Sequence, residues 1–372
     1  MTESSDATAP AAAMRVSTLE LFFDLVFVFA VTQITHLVAH VHNAWELGRA
    51  FLVLMLVWWM FAGYAWLTNS TQPGHFLRST MIAAMTGFLV MALAVPGMFG
   101  TDGLAFALAY LFVVVLHLVA FVVTGGRPAL RGVLELAPFN LGAALLVLAA
   151  ALVEVSWEWL FFAGAALLFV IATLLHRERR FTLRPDHFAE RHGLIVLIAL
   201  GETIVAIGGG AQEQALNLHT VGAVLLSLLL IATLWWSYFD HDDVRAEHAL
   251  TATPPERRSR AGVLGYWYGH LVMLAGIVLI AAALKEVVAL GDEAPTWSGW
   301  VLACGLCAYL AGDVLFRWVL GIRPLVYRAL AALIAVPLGL IGGAGELAML
   351  GALMILVLGA EHFVAAGTPA HA

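Results

Sequence analysis

Charge is scarce in this 372-residue chain: Asp, Glu, Lys and Arg together make up 12% of it, about half the share in an ordinary soluble protein. Set against 62% hydrophobic residues, that scarcity excludes a soluble globular enzyme. No polar stretch longer than about 25 residues could form a soluble domain either. Lysine occurs once, at Lys285, and the formal charge is −7. No basic surface is left to hold a phosphate backbone, so nucleic acid is not expected as a partner. Two cysteines, Cys304 and Cys307, give no disulfide framework. Their C-x-x-C spacing alone is a weak redox signal, since cysteine is a common small buried residue. The chain also lacks H-E-x-x-H, G-x-S-x-G and P-loop motifs, so no catalytic residue or cofactor is assigned.

What the chain has is apolar runs. A bilayer core of about 30 Å takes about 20 apolar residues per helix, because backbone in lipid must satisfy its own N–H and C=O groups. Twelve such runs lie at 18–41, 46–68, 77–99, 103–124, 131–153, 157–176, 188–209, 217–240, 262–284, 298–318, 325–343 and 346–364. The first contains Glu20 and Asp24, which a cleaved signal peptide would not tolerate, so it counts as a span. Gly342, Gly343 and Gly345 make the last boundary the weakest and leave an eleven-helix count open. The fold class is therefore all-α, a polytopic membrane helix bundle of about twelve spans.

Loop charge gives an independent test, because short cytoplasmic loops collect Lys and Arg. With twelve helices and both termini cytoplasmic, all of the 18 basic residues except Arg49 and Lys285 fall on the inner side. The outer turns carry Asp102, Glu154, Glu158, Glu213, Asp292 and Glu293. This places the protein in the inner membrane as a multi-pass protein, with the lipid bilayer as its surroundings. Residues 1–17 are expected to be a disordered N-terminus and 365–372 a cytoplasmic tail.

The two halves echo each other. Gly125-Gly126-Arg127-Pro128 recurs as Gly321-Ile322-Arg323-Pro324, Trp58-Trp59 as Trp235-Trp236, and Glu20 and Glu190 each open a long apolar run. Each match sets a helix over the one six places later, which keeps its orientation. A parallel six-plus-six duplication follows, with repeats 18–176 and 188–364, an arrangement found in transporters.

A charge near the bilayer centre costs about 2.5–3.5 kcal/mol on insertion scales, so it generally has a partner or a task. Glu202 is the deepest carboxylate, and Arg191, on the same helical angle, is about 16 Å away along the axis. Its partner must come from another helix, and without a cation it is a candidate proton or cation site, with helix-bridging by hydrogen bond as the structural alternative. Glu20 and Asp24 lie four apart on one face. Asp313 and Arg317 are also four apart and are expected to pair. Glu135, with Pro138 and Asn140, puts another carboxylate into helix five. A polar vestibule between helices one, five, seven and ten would serve all of these. His117 and His270 lie inside spans as secondary candidates. His36 and His40 lack further ligands on their face, and Asp240-His241-Asp242-Asp243 reads as a solvated loop, so no metal is expected. Trp58, Trp59, Trp66, Trp235, Trp236, Tyr238, Tyr266, Trp267 and Tyr268 read as interfacial anchors.

Three ordered segments carry a resemblance. They are 20–30 (Glu-Leu-Phe-Phe-Asp-Leu-Val-Phe-Val-Phe-Ala), 190–208 with its Glu190-Arg191-His192-Gly193-Leu194 opening and Leu200-Gly201-Glu202-Thr203 core, and Trp235-Trp236-Ser237-Tyr238-Phe239-Asp240. Together the chain resembles the bacterial low-temperature-requirement A family over nearly its whole length. Thr203 stands where serine is common and keeps the hydroxyl. The resemblance implies a multi-spanning inner-membrane protein, linked by name to growth in the cold, and no settled activity. Its motif acids fall on Glu20, Asp24, Glu190, Glu202 and Asp240.

A secondary transporter of a small solute, with protons as a candidate coupling ion, is the favoured function. The spans, the duplication and the intramembrane acids all point that way. A channel would share the acids without needing duplicated halves. A membrane enzyme acting on a lipid or lipid-linked group would need a nucleophile or metal set that is not seen. Association of identical copies is left open.

Overall fold

The computed structural model describes residues 16–41, 43–71, 74–125, 127–153, 157–175, 183–212 and 214–367. The expected disordered stretch, apart from Val16 and Ser17, lies outside them, as do Arg177, Arg179 and Arg180 and the last five residues of the expected tail. All regular structure among the described residues is helical. The helices are α1 Thr18–Ala39, α2 Ala44–Ser70, α3 His75–Ala94, α4 Gly103–Thr124, α5 Arg127–Leu152, α6 Trp159–Leu175, α7 Pro185–Gln212, α8 Leu218–Phe239, α9 Asp242–Ala252, α10 Pro255–Ala261, α11 His270–Leu290, α12 Thr296–Leu320, α13 Val326–Leu338 and α14 Gly343–Gly367. A π-helical stretch, Gly262–Gly269, joins α10 to α11. α9 and α10 are amphipathic loop helices that the apolar-run reading passed over.

Local chemistry sets the ends. Ser17 caps α1 in a reciprocal capping box: its side chain accepts from the Glu20 N–H, while the Glu20 carboxylate accepts from the Ser17 N–H. Asn43 and Asn217 cap α2 and α8 in the same way, accepting from the N–H three residues on. α12 ends on Gly321 at φ 75°, a left-handed position that glycine takes without a Cβ clash.

Among the described residues, ten helical segments are long and apolar enough to cross a membrane, with α6 and α13 as shorter apolar helices. The outward positions are themselves apolar, among them Leu93, Leu174, Val205, Leu225, Leu333 and Leu356, all more than half exposed. A bundle of this length with such a surface is at home in lipid and not in water. The last apolar region is two helices, which removes the eleven-helix alternative. α13 stops at Pro337-Leu338, and a turn with Gly342 and Gly343 at φ 70° and 58° reverses the chain into α14. At 13 residues, α13 spans about 20 Å, less than the bilayer core. α14 runs to Gly367, past the expected start of the tail.

Packing repeats along the chain. α1 packs on α3, α3 on α4, α4 on α5 and α5 on α6, while α6 closes back on α2. In the second half α7 packs on α11, α11 on α12, α12 on α13 and α13 on α14, while α14 closes back on α8. α1 and α2 meet α7 and α11 where the halves join. The α11–α12 contact is the most extensive. A Cβ on Gly276 would lie 2.4 Å from the Tyr309 nitrogen, and one on Gly312 would lie 2.6 Å from the Gly269 oxygen. Glycine there lets two backbones touch, as at other small-residue helix contacts in membranes.

Candidate functional site

Arg191 of α7 is 1% exposed and turns into the joint between the halves. Its Nη1 donates to Glu20 Oε1 at 2.9 Å and to Thr68 Oγ1 at 2.6 Å, and its Nη2 donates to Asp24 Oδ1 at 3.0 Å. α1, α2 and α7 are thus tied through one guanidinium. Its carbon also lies 5.8 and 5.7 Å from the ring centres of Phe23 and Phe61, close enough for cation–π attraction. The spacing of Glu20 and Asp24 puts both carboxylates on the one face that α7 meets.

His187, one turn before Arg191, completes the cluster, and its hydrogen-bond roles follow from its neighbours. Asn69 Oδ1 accepts from the Arg184 N–H at 2.9 Å, and Asn69 Nδ2 donates to the Arg184 carbonyl at 3.0 Å. That double bond fixes the amide orientation. Its nitrogen then faces His187 Nδ1 at 3.3 Å, which must accept. The ring proton is left on Nε2, which donates to Glu20 Oε1 at 3.1 Å. Glu20 and Asp24 share the one Arg191 guanidinium. Asp24 is fully buried, and its Oδ2 has no hydrogen-bond partner.

A second buried cluster ties α9, α12, α13 and α14. The expected Asp313–Arg317 pair does not form. Asp313 Oδ2 accepts from Arg328 Nη1 at 2.7 Å, and Arg317 Nη1 donates to Glu361 Oε1 at 2.7 Å. Arg328 also grips Glu361 with Nε at 3.2 Å and Nη2 at 2.9 Å, and its Nη1 lies 3.0 Å from Asp242 Oδ2. Bidentate contact with a carboxylate from another helix satisfies a guanidinium better than one four residues away, whose geometry cannot supply two parallel bonds. Asp242 is 2% exposed, which corrects the solvated reading for that residue, while Asp240 and His241 beside it are exposed.

The other expected residues stand apart. Glu202 is half-buried beside the Thr32 side chain of α1, well away from Asp24 along the bundle, so the two do not meet in one cluster. Thr203 is buried and its hydroxyl donates to the Ala199 carbonyl at 3.2 Å. Glu190 is exposed and accepts from the Val16 N–H at 3.2 Å. Glu135 is exposed on α5 and does not join a vestibule with helices one, seven and ten, while Asn140 on the same helix is buried and accepts from Trp59 Nε1 at 2.8 Å. Asp240 is exposed against His241. His270 is buried with Nε2 2.9 Å from the Tyr238 hydroxyl, and His117 is buried with neither ring nitrogen bonded. Trp58, Trp59, Trp66, Tyr238, Tyr266 and Trp267 are core residues and not interfacial anchors, whereas Trp235 and Trp236 do lie at the surface. Among the described residues, no three His, Cys, Asp or Glu side chains are grouped to hold a metal.

His187, Thr68 and Glu361 escaped sequence reasoning, and Asp242 was placed in solvent. Glu361 carried a usable signal, an acid inside the last apolar run. Thr68 carried none.

Long apolar helices, a lipid-facing surface and ionic groups gathered inside the bundle define a multi-spanning membrane protein. The chain belongs to the bacterial low temperature requirement A protein family, whose pattern matches residues 15–363. It is also similar to "Uncharacterized protein RA0937" of Rhizobium meliloti (strain 1021), 29% identical over a 306-residue alignment, with 72% of this chain and 68% of that one covered.

Proposed function

We propose that this protein is a proton-coupled secondary transporter of a small solute, with Asp24 as the proton-binding group. The observation that carries the reading is the Arg191 cluster, where two buried carboxylates share one guanidinium. A net negative charge in a low-dielectric site is costly, and a proton on the unpartnered Oδ2 of Asp24 removes it. The cluster lies where α1 and α2 meet α7, so taking up or losing that proton changes how tightly the halves are held.

A parallel duplication is the frame for such a movement, and the repeated packing order supports it. Laying residues 125–128 on 321–324 places His117 on Asp313, both of them buried polar groups. Laying Glu20 on Glu190 places Thr32 on Glu202, and these two are neighbours. A meeting of equivalent positions is what a parallel repeat about an axis along the membrane normal would bring. The arginine-bearing loops support an inner-membrane orientation with both termini on the cytoplasmic side. Glu20 positions Arg191, Glu202 is a second candidate proton or cation site, and the Arg317–Arg328 cluster anchors the second half.

The test is made in proteoliposomes enclosing a pH-sensitive dye, screened with small solutes under an imposed pH gradient. Solute-dependent proton movement that Asp24→Asn abolishes is the expected result. Solute entry indifferent to the gradient and to Asp24→Asn would overturn the coupling.

A further inference from the structure

A cavity of about 60 Å³ lies between α2, α4, α5 and the π-helical stretch, away from both charged clusters. A water needs about 10–15 Å³ measured this way, so the space takes several waters or one small ring. Rings of Trp59, Trp66, Phe121 and Trp267 line it, with His117 and Asn140 as its polar groups and no charged side chain.

The rings are held in place. Trp59 stacks on Phe169 with centroids 4.0 Å apart and meets Trp267 edge-on at 4.8 Å. The Trp58 indole N–H fixes the π-helical stretch by donating to the Trp267 carbonyl at 3.0 Å. Single π-turns inside helices recur at functional sites. The slot between these faces therefore exists before any ligand arrives.

Its polar groups are unsatisfied in a specific way. His117 is 5% exposed and neither ring nitrogen has a partner. A neutral imidazole offers one N–H donor and one acceptor. Asn140 is 4% exposed, and because an indole N–H only donates, its contact with Trp59 must be through Oδ1. The amide NH₂ remains as a donor. The cavity thus offers a donor from Asn140, an acceptor from His117 and flat apolar walls.

We infer that this cavity binds a small, flat, uncharged heterocycle with a lactam edge, a ring N–H beside a C=O. The carbonyl accepts from Asn140 Nδ2, the N–H donates to His117, and the ring lies against the indoles. An ion finds no countercharge here, and a lipid chain would leave both polar groups unsatisfied. The inference stands on the cavity alone and needs no transport step.

The probe is 2-pyridone, titrated into the full chain in detergent by calorimetry and tryptophan fluorescence, with toluene and N-methyl-2-pyridone as comparisons. Saturable 2-pyridone binding is expected, at least tenfold tighter than either comparison and at least tenfold weaker in His117→Phe. Ala62→Leu, which fills the cavity from α2, should abolish it and serves if His117→Phe fails to fold. Absent binding, equal binding of toluene, or binding unchanged by either variant means that the cavity holds water only and overturns the inference. No gradient enters the measurement, so its failure is distinct from failure of the transport reading.

Discussion

Arg191 and Asp24, 167 residues apart in sequence, are joined by a 3.0 Å charge-assisted hydrogen bond buried between α7 and α1. The partner that physical cost demands for an intramembrane acid was therefore present, but on another helix. Helical spacing within one segment could not reveal it.

Removing Arg191 strands Glu20 and Asp24 in a buried site. Arg191→Gln should cost about 3–5 kcal/mol, the usual penalty for breaking a buried ion pair from one side. Adding Asp24→Asn to it should restore part of the loss, since one stranded charge is gone. Thermal unfolding in detergent decides this. A single variant as stable as wild type would show that the cluster holds nothing together.

Asp24 and Glu20 should behave differently although they share a cation. Asp24→Asn removes the excess charge and keeps a hydrogen-bonding side chain, so its melting temperature should match or exceed that of wild type. Glu20→Gln weakens the bonds to Arg191 and His187 and the α1 capping box together, and should cost about 2 kcal/mol or more. Equal losses in both variants would contradict the unequal sharing of Arg191.

The glycine contact between α11 and α12 gives a test that involves no charge. Gly276→Ala drives a methyl to within 2.4 Å of the Tyr309 backbone nitrogen. The two helices must separate, at about 1–3 kcal/mol or more. Gly222→Ala on α8, with nothing within 4 Å, is the control and should be neutral or slightly stabilising.

The spans were legible because lipid leaves the backbone no alternative to helix, so apolar length alone marks them. The break between α13 and α14 was legible as Gly342, Gly343 and Gly345 but not its consequence, a helix too short to cross by itself. Trp59 and Trp267 were misplaced because tryptophan serves equally at an interface and in a core, and only its partner, here Asn140 or Phe169, tells which. The Asp313–Arg317 expectation failed for a related reason. Spacing on one helix identifies neighbours, but Arg328 and Glu361 arrive from α13 and α14 with better geometry, and no periodicity announces them.

Sidedness is tested directly. A reporter fused after Arg258 should read cytoplasmic and one placed near Glu293 should read external, because α11 with its π-helical lead crosses between them. The same side for both would break the alternation of arginine-rich and acidic turns on which the orientation rests.

Glu202 separates a functional acid from a structural one. It sits on α7 half-buried beside Thr32, outside the Arg191 cluster, and no cation faces it among the described ion pairs. Glutamine keeps its size and its ability to meet the Thr32 hydroxyl while deleting the titratable group. If Glu202 takes up a proton or cation, Glu202→Gln should melt like wild type yet fail to restore low-temperature growth in a strain lacking its own family member. If it only bridges helices, Glu202→Gln should complement fully, and Thr32→Val should be the variant that loses stability, since it removes the bond that glutamine preserves. Glu202→Ala would remove both roles at once and decide nothing. The expected pattern is a stable, inactive Glu202→Gln beside an active Thr32→Val. The reverse pattern would leave a single proton site, at Asp24 of α1 across from Arg191 of α7, and reduce Glu202 to a contact between α7 and Thr32 of α1.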